Sequence, residues 1–141
     1  MLDIISKLNF RQAFEPKAAV TDNTAQVSTI VDTAGYEGVA LVLTLGVLSD
    51  ADATFAVTFE ASDASNMAGA EVPTASQLIG LQSDLNFTFA ADNACRKIGI
   101  VSPRRYLRAT VTPTGNTGNL FMAGLWLLGR GRYNPQAAVP A

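Results

Sequence analysis

Residues 39–62 read VALVLTLGVLSDADATFAVTFEAS. The first ten, VALVLTLGVL, are almost all apolar, which is typical of a strand covered on both faces, within the fold or by a neighbouring subunit. After the polar turn SDADA, residues 54–62 alternate, with Phe55, Val57 and Phe59 on one side and mainly Thr and Glu on the other. The segment therefore predicts two strands, one of them with a solvent-exposed face.

Further strands are predicted on both sides of this pair, and Gly, Asn, Asp or Pro separates them. They lie at residues 26–32, 85–90, 95–101, 106–113 and 120–129, with a short edge segment at 78–81. Because no helical period occurs between them, the sequence predicts an all-β fold. The predicted form is an antiparallel β-sandwich of jelly-roll-like type, with a closed β-barrel as the alternative. The turn PTGNTGN (113–119) predicts a hairpin that pairs the last two strands.

The two ends of the chain look different from this body. Residues 1–25 contain a loosely periodic apolar stretch that Pro16 stops and a polar link, so we interpret them as an N-terminal arm and linker. Residues 131–141 are interpreted as a C-terminal tail because Pro135 and Pro140 oppose regular structure. The sandwich domain is accordingly predicted at residues 26–130.

Composition limits the chemistry that the chain can perform. It has 141 residues, no His and one Cys, which argues against a disulfide framework, a Cys/His zinc site and a histidine relay. Cys95 is expected to be a buried or half-buried small side chain, and Trp126 and Phe121 are expected in the core. Asp50 and Asp52 match a solvated turn better than a calcium loop, which needs more ligands. We expect no enzyme activity, cofactor or metal.

Neither secretion nor membrane insertion is expected. The N-terminal MLDIISKLNFRQAF has no long apolar run before a cleavage site, so no signal peptide is predicted. No stretch approaches about 20 apolar residues, the length that a membrane-spanning helix needs.

Charge is sorted along the chain. Residues 1–17 carry +1, residues 18–95 carry ten acids and no base, and residues 96–141 carry seven bases and no acid, which gives the net charge of −2. The basic segment suggests nucleic-acid binding, but few aromatic residues accompany it as stacking partners. Pairing of the late arginines with the early acids, within one subunit or between subunits, explains both segments together. We therefore expect charge pairing and no nucleic-acid partner.

Candidate interface residues follow from these patterns. The N-terminal arm has two aromatics and three cations, which is typical of a segment that docks on another chain, although it could also fold back on its own domain. The late arginines are candidates for intersubunit ion pairs. The predicted interface comprises Phe10, Arg11, Phe14, Arg104, Arg105, Arg108, Arg130 and Arg132.

Three stretches resemble a family of small virion proteins that tailed bacteriophages encode among their head genes. They are DTAGYEGVALVLTLGVLSDADATFAVTFEASD (32–63), FAADNACRKIGIVSPRRYLRATVTPTGNTGN (89–119) and LGRGRYNP (128–135). The resemblance covers about residues 26–135. It implies a capsid decoration, or cement, protein made in the bacterial cytoplasm and placed on the head surface of the virion.

The resemblance further implies that the protein binds the major capsid protein and copies of itself. Another head or spike protein is a further possible partner, and the base of a head spike or fibre, or a neck component, is the alternative position. A β-sandwich module that binds a carbohydrate or a receptor remains a separate alternative. It would require exposed Trp and Tyr side chains beside acids.

Overall fold

A computed structural model of the protein describes residues 3–133 and Pro135, and within them it contains ten strands and four 3-10 turns. The strands are β1 Leu8–Phe14, β2 Gln26–Val27, β3 Val31–Asp32, β4 Tyr36–Leu48, β5 Thr54–Ser62, β6 Leu78–Ile79, β7 Phe87–Thr88, β8 Cys95–Ile100, β9 Tyr106–Thr114 and β10 Leu120–Gly131. The 3-10 turns are Ile5–Lys7, Ala75–Gln77, Gln82–Leu85 and Phe89–Ala91.

The strands form two antiparallel sheets, which confirms the predicted β-sandwich. Sheet A has the order β1-β10-β4-β8-β6, and sheet B has the order β2-β9-β5-β7, with β3 also paired to β9. Apart from the step between β2 and β3, the chain changes sheet at every successive strand. Without β3 and β6, the order is that of a jelly roll, in which two four-stranded antiparallel sheets face each other.

The core lies between the two sheets and is built from the alternating inward residues. Trp126 of β10 is fully buried, as the sequence predicted, and its indole Nε1 donates to the Thr29 carbonyl at 3.2 Å. The ring of Phe59 in sheet B lies 6.5 Å from that of Trp126, centroid to centroid. Phe55 stacks on Phe87 with centroids 4.8 Å apart. The contact between Phe59 and Trp126 joins the two sheets, whereas the stack of Phe55 on Phe87 lies within sheet B.

The predicted hairpin at PTGNTGN does not form. Strands β9 and β10 lie in different sheets, so this loop crosses from one sheet to the other. Thr117 donates its backbone N–H to an Asp50 carboxylate oxygen at 2.7 Å, and Asn119 donates to the Ser49 hydroxyl at 2.6 Å. Asn116, only 1% exposed, donates to the carbonyl oxygens of Val20 and Asp22. The loop thus holds two other connections in place, the one between β4 and β5 and the one between β1 and β2.

The N-terminal segment is not a peripheral arm, and the sandwich begins before residue 26. Residues 8–14 form β1, an edge strand of sheet A paired with β10 from Leu8 opposite Gly129 to Phe14 opposite Gly124. Asn9, Ala13 and Phe14 are buried. The segment joins the sheet through its ladder with β10, and Ala13 and Phe14 at its end cover one side of the core. The predicted tail at 131–141 lies mostly outside the described residues.

Candidate assembly surfaces

Arg104 bridges two acidic residues at one end of the sandwich. One guanidinium nitrogen lies 2.6 Å from Asp63 Oδ2 and the other lies 2.9 Å from Glu71 Oε2. The side-chain hydrogen bond from Arg104, joined by the backbone N–H of Arg105, lowers the pKa of Asp63 below its usual value. Asp63 in turn raises the pKa of Arg104. This network connects the loop after β5 to the loop before β9.

Arg105 forms a two-pronged contact with Asp32 of β3. Its Nε and one terminal nitrogen each donate to one carboxylate oxygen at 2.8 Å, which is the parallel geometry that arginine is suited to. The guanidinium carbon also lies 5.1 Å from the centre of the Tyr106 ring. Its hydrogen bond holds the pKa of Asp32 below the usual range, and Asp32 raises the pKa of Arg105.

Arg108 pairs with Glu60 directly across the ladder between β9 and β5. Its Nε donates to Glu60 Oε2 at 2.8 Å, and both side chains are about one-third exposed. Arg130 approaches Glu37 at 3.4 Å, with both side chains largely in solvent. In the described residues, all of these ion pairs join a late arginine to an earlier acid of the same chain. The charge pairing therefore occurs within the subunit.

The aromatic residues predicted to dock on a partner have different positions. Phe14 is 6% exposed and belongs to the core, so the interface prediction is wrong for this side chain. A register shift between Gln12 and Phe14 turns it inward. Phe10 is half-buried and pairs with Leu127. Arg11 donates to Asn9 Oδ1 at 2.6 Å, and Arg132 is exposed. The interface role of Phe10 and of the arginines stays a prediction.

The outer face of sheet A is apolar. The ladder register places one row of outward residues across all five strands: Phe10, Leu127, Ala40, Gly99 and Ile79. The next row comprises Gln12, Leu125, Val42 and Lys97, and a third comprises Ala123, Thr44 and Cys95. In these rows the one charged side chain is that of Lys97.

Several side chains of this face are open to solvent. Leu125 is 44% exposed and Ile79 is 67% exposed. Phe121, expected in the core, is 40% exposed, because it lies on the outward side of the β10 alternation, like Leu125. Cys95, expected to be at least half-buried, is exposed beside Thr44.

The outer face of sheet B is chemically different. The outward residues of β5 are Thr54, Ala56, Thr58 and Glu60, and those of β9 are Tyr106, Arg108, Thr110, Thr112 and Thr114. Hydroxyl groups and an ion pair suit a face that meets water, as antiparallel sheets often do. Sheet A lacks this alternation, which identifies its outer face as the exceptional surface of the molecule.

A cleft lies at the sheet edge where β1 meets β2. It has a volume of about 230 Å³ and is lined by apolar side chains, including those of Phe14, Val20 and Met122, with Glu15 and Lys17 also at its wall. No pattern in the sequence indicated this cleft, because it depends on β1 joining the sheet.

Groupings for metal or membrane chemistry are not seen in the described part of the chain. Residues 3–133 and Pro135 contain no cluster of three or more Asp, Glu or Cys side chains placed to hold a metal ion. None of the helical turns in these ranges has the length and apolarity to cross a membrane.

Comparison with known proteins shows a likeness in fold. No family model matches the chain, and no curated protein sequence matches it. A solved structure described as "PBSX exported protein XepA" superposes with a TM-score of 0.59 at 14% identity, covering 97% of this chain and 42% of that chain. The chain thus spans less than half the length of that protein. A xylan-binding module, CBM15, gives a TM-score of 0.38 at 9% identity, covering 94% of this chain and 96% of that chain. The first likeness supports the β-sandwich fold, and the second is too distant to support an argument.

Proposed function

We propose that the protein is a structural component of a tailed-phage virion, a decoration or cement protein that oligomerises on the head surface. The observation that carries this proposal is the apolar outer face of sheet A. Large exposed apolar patches on soluble proteins mark surfaces that another molecule covers. A cement protein needs surfaces for two kinds of contact, one with the major capsid protein and one with its own copies.

The rest of the molecule supports this proposal. Four of its arginines, Arg104, Arg105, Arg108 and Arg130, are paired with acids inside the subunit, which lowers the positive charge that they offer to phosphates. The resemblance of residues 26–135 to small head-encoded virion proteins supports the phage head as the site of this assembly. A head-spike base or a neck component would use the same face, and its copy number on the particle would differ.

The carbohydrate- or receptor-binding alternative has less support. Sugar-binding faces present aromatic rings to solvent, but Trp126 is fully buried. Binding to a glycan array at micromolar concentration would restore this alternative.

The test is co-sedimentation of the purified protein with phage shells that lack it. We expect saturable binding, at a copy number set by the symmetry of the shell, and density on the outer shell surface in a low-resolution particle map. An unrelated β-sandwich protein of similar size is the control. Failure to co-sediment across a range of salt and protein concentrations would contradict the proposal.

A further inference from the structure

The relief of the outer face of sheet A suggests what covers it. Leu125 and Leu127 on β10 form a ridge, and Phe10 extends it onto β1. Some outward residues of the next two strands are smaller, namely Ala40 and Thr44 on β4 and Gly99 on β8. Ile79 leans over Gly99, since a Cβ atom added to Gly99 would lie 3.0 Å from the Cβ atom of Ile79. The face therefore has a ridge of large side chains on β10 and β1, and a lower point at Gly99 on β8 that Ile79 partly covers.

This relief is complementary to itself. A two-fold axis along β4 exchanges β10 with β8 and β1 with β6. Leu127 of one copy then lies over Gly99 of the other, and Phe10 lies over Ile79. Leu125 lies over the aliphatic stem of Lys97. A two-fold contact needs the same patch on both subunits, and this face satisfies that condition.

The size and charge of the face agree with such a contact. With strands about 4.8 Å apart and residues about 3.4 Å apart along them, a sheet of this size presents about 650 Å². A stable interface buries about 800 Å² on each partner, so the face is close to one side of a standard interface. A foreign partner is usually selected by complementary charges, whereas these three rows carry the charge of Lys97 alone.

We propose that the outer face of sheet A binds the same face of a second copy of this chain and forms a two-fold dimer. This inference rests on the proposed assembly function and names the partner of its main surface. The two sheets then stack face to face in the manner of a β-sandwich, so that β4 is covered on both sides. In this arrangement, other surfaces of the protein bind the shell.

The chain has a natural reporter for this contact. Cys95 is its one cysteine and lies exposed on the third row of the face. In the two-fold arrangement it lies over Ala123 of the second copy. Its thiol is therefore open to reagents in the monomer and covered in the dimer.

The experiment measures mass by light scattering and the rate of Cys95 alkylation by N-ethylmaleimide, each over a range of protein concentrations. We expect a mass of two chains, and alkylation about tenfold slower where about nine-tenths of the chains are dimeric. Leu125→Lys should return the mass to one chain and restore fast alkylation. Thr112→Lys, on the outer face of sheet B, is the matched control and should change neither.

Circular dichroism confirms that both variants are folded. A wild-type monomer at all concentrations, an oligomer in which Cys95 stays fully reactive, or dissociation by Thr112→Lys and not by Leu125→Lys would each overturn the inference. Shell co-sedimentation is measured separately. Shell binding without the dimer therefore refutes this inference alone, whereas a dimer without shell binding refutes the proposed virion role alone.

Discussion

At the residue scale, Arg108 and Glu60 help to set the register between β9 and β5, because they are direct cross-strand partners. Arg108→Glu places two carboxylates opposite each other and removes a hydrogen-bonded ion pair. We expect the free energy of unfolding to fall by about 1 kcal/mol, measured by urea denaturation.

The charge-swapped double variant Glu60→Arg with Arg108→Glu is the control for this prediction. It keeps the pair and reverses its direction, so most of the lost stability should return. Equal urea midpoints for the wild type and the single variant would show that the pair contributes nothing to stability.

Gly124 permits the close approach of β1 to β10. A Cβ at this position would lie 2.8 Å from Phe14 Cδ2 and 3.0 Å from Leu43 Cδ2. We expect Gly124→Ala to destabilise the fold by about 1–3 kcal/mol, because the core must expand to accept the methyl group. The measurement is the urea midpoint.

Gly129→Ala on the same strand is the matched control, because the nearest atom to its Cβ, Leu8 Cδ2, is 3.4 Å away. It should cost much less. Equal losses for the two variants would contradict the packing explanation.

Single residues were predictable from the sequence where the alternation is unbroken. Trp126 and Phe55 lie inward as their position in the pattern requires. The prediction for Phe121 was wrong because the apolar run 120–129 suggests burial throughout, whereas the alternation that places Trp126 inward places Phe121 outward. The prediction for Phe14 was wrong because it lies at a register shift, where one extra residue reverses the side to which the chain points. A bulge of this kind depends on the partner strand, and a single sequence does not contain that information.

At the element scale, the loop PTGNTGN shows how a turn signal can mislead. Gly115 has φ of +69°, so the sequence correctly marked a turn. The same residues serve a hairpin and a crossing between sheets, because both reverse the chain. The difference lies in Asp50, Ser49 and Asn116, whose hydrogen bonds connect the loop to distant segments.

Strand β1 is required for the sandwich. Deleting residues 1–14 removes one side of the core beside Trp126 and breaks the pairing with β10. We expect the truncated protein to be insoluble or to lack a cooperative thermal transition, as seen by circular dichroism.

Deleting residues 1–5 is the control and should leave the transition nearly unchanged, because Ile4 and Ile5 are exposed. A stable, cooperatively unfolding protein that lacks residues 1–14 would show that β1 is dispensable, as an arm would be.

At the scale of the whole molecule, carboxylates tie loops together at both ends of the sandwich. Hydrogen bonds from Arg105, Thr117 and Arg104 respectively lower the folded-state pKa values of Asp32, Asp50 and Asp63. A lowered pKa stabilises the fold above the unfolded value of about 3.9, and this contribution disappears as the pH falls through the lower folded value. Thermal unfolding should therefore be nearly constant from about pH 7 to pH 5 and should shift to lower temperature below about pH 4.

Asp32→Asn tests the cause of this acid sensitivity. The variant should be less stable than the wild type at neutral pH, and the difference should narrow at low pH, where the wild-type carboxylate is protonated. A melting temperature of the wild type that stays unchanged down to about pH 2.5 would contradict the prediction.

The sequence alone was enough to predict a β-sandwich, but it was not enough to predict which strands pair with which. Alternating strands such as 54–62 predicted two packed sheets, and the sorted charges predicted pairing between late arginines and early acids. The assignment of strands to sheets depends on partners far apart in the chain, such as β1 with β10, and no local pattern encodes it. The continuous apolar run 39–48 predicted a strand covered on both faces, and in the subunit one of these faces is open.

The pairing of β4 with both β10 and β8 has a consequence for biosynthesis. The apolar β4 leaves the ribosome long before β10 does, and at about 5–20 residues per second the delay is on the order of 5–15 s. During the first part of that time, until β8 has been made, β4 has neither of its neighbours in sheet A. We expect the nascent chain to depend on chaperones in this interval, and low growth temperature or chaperone overproduction to raise the soluble yield.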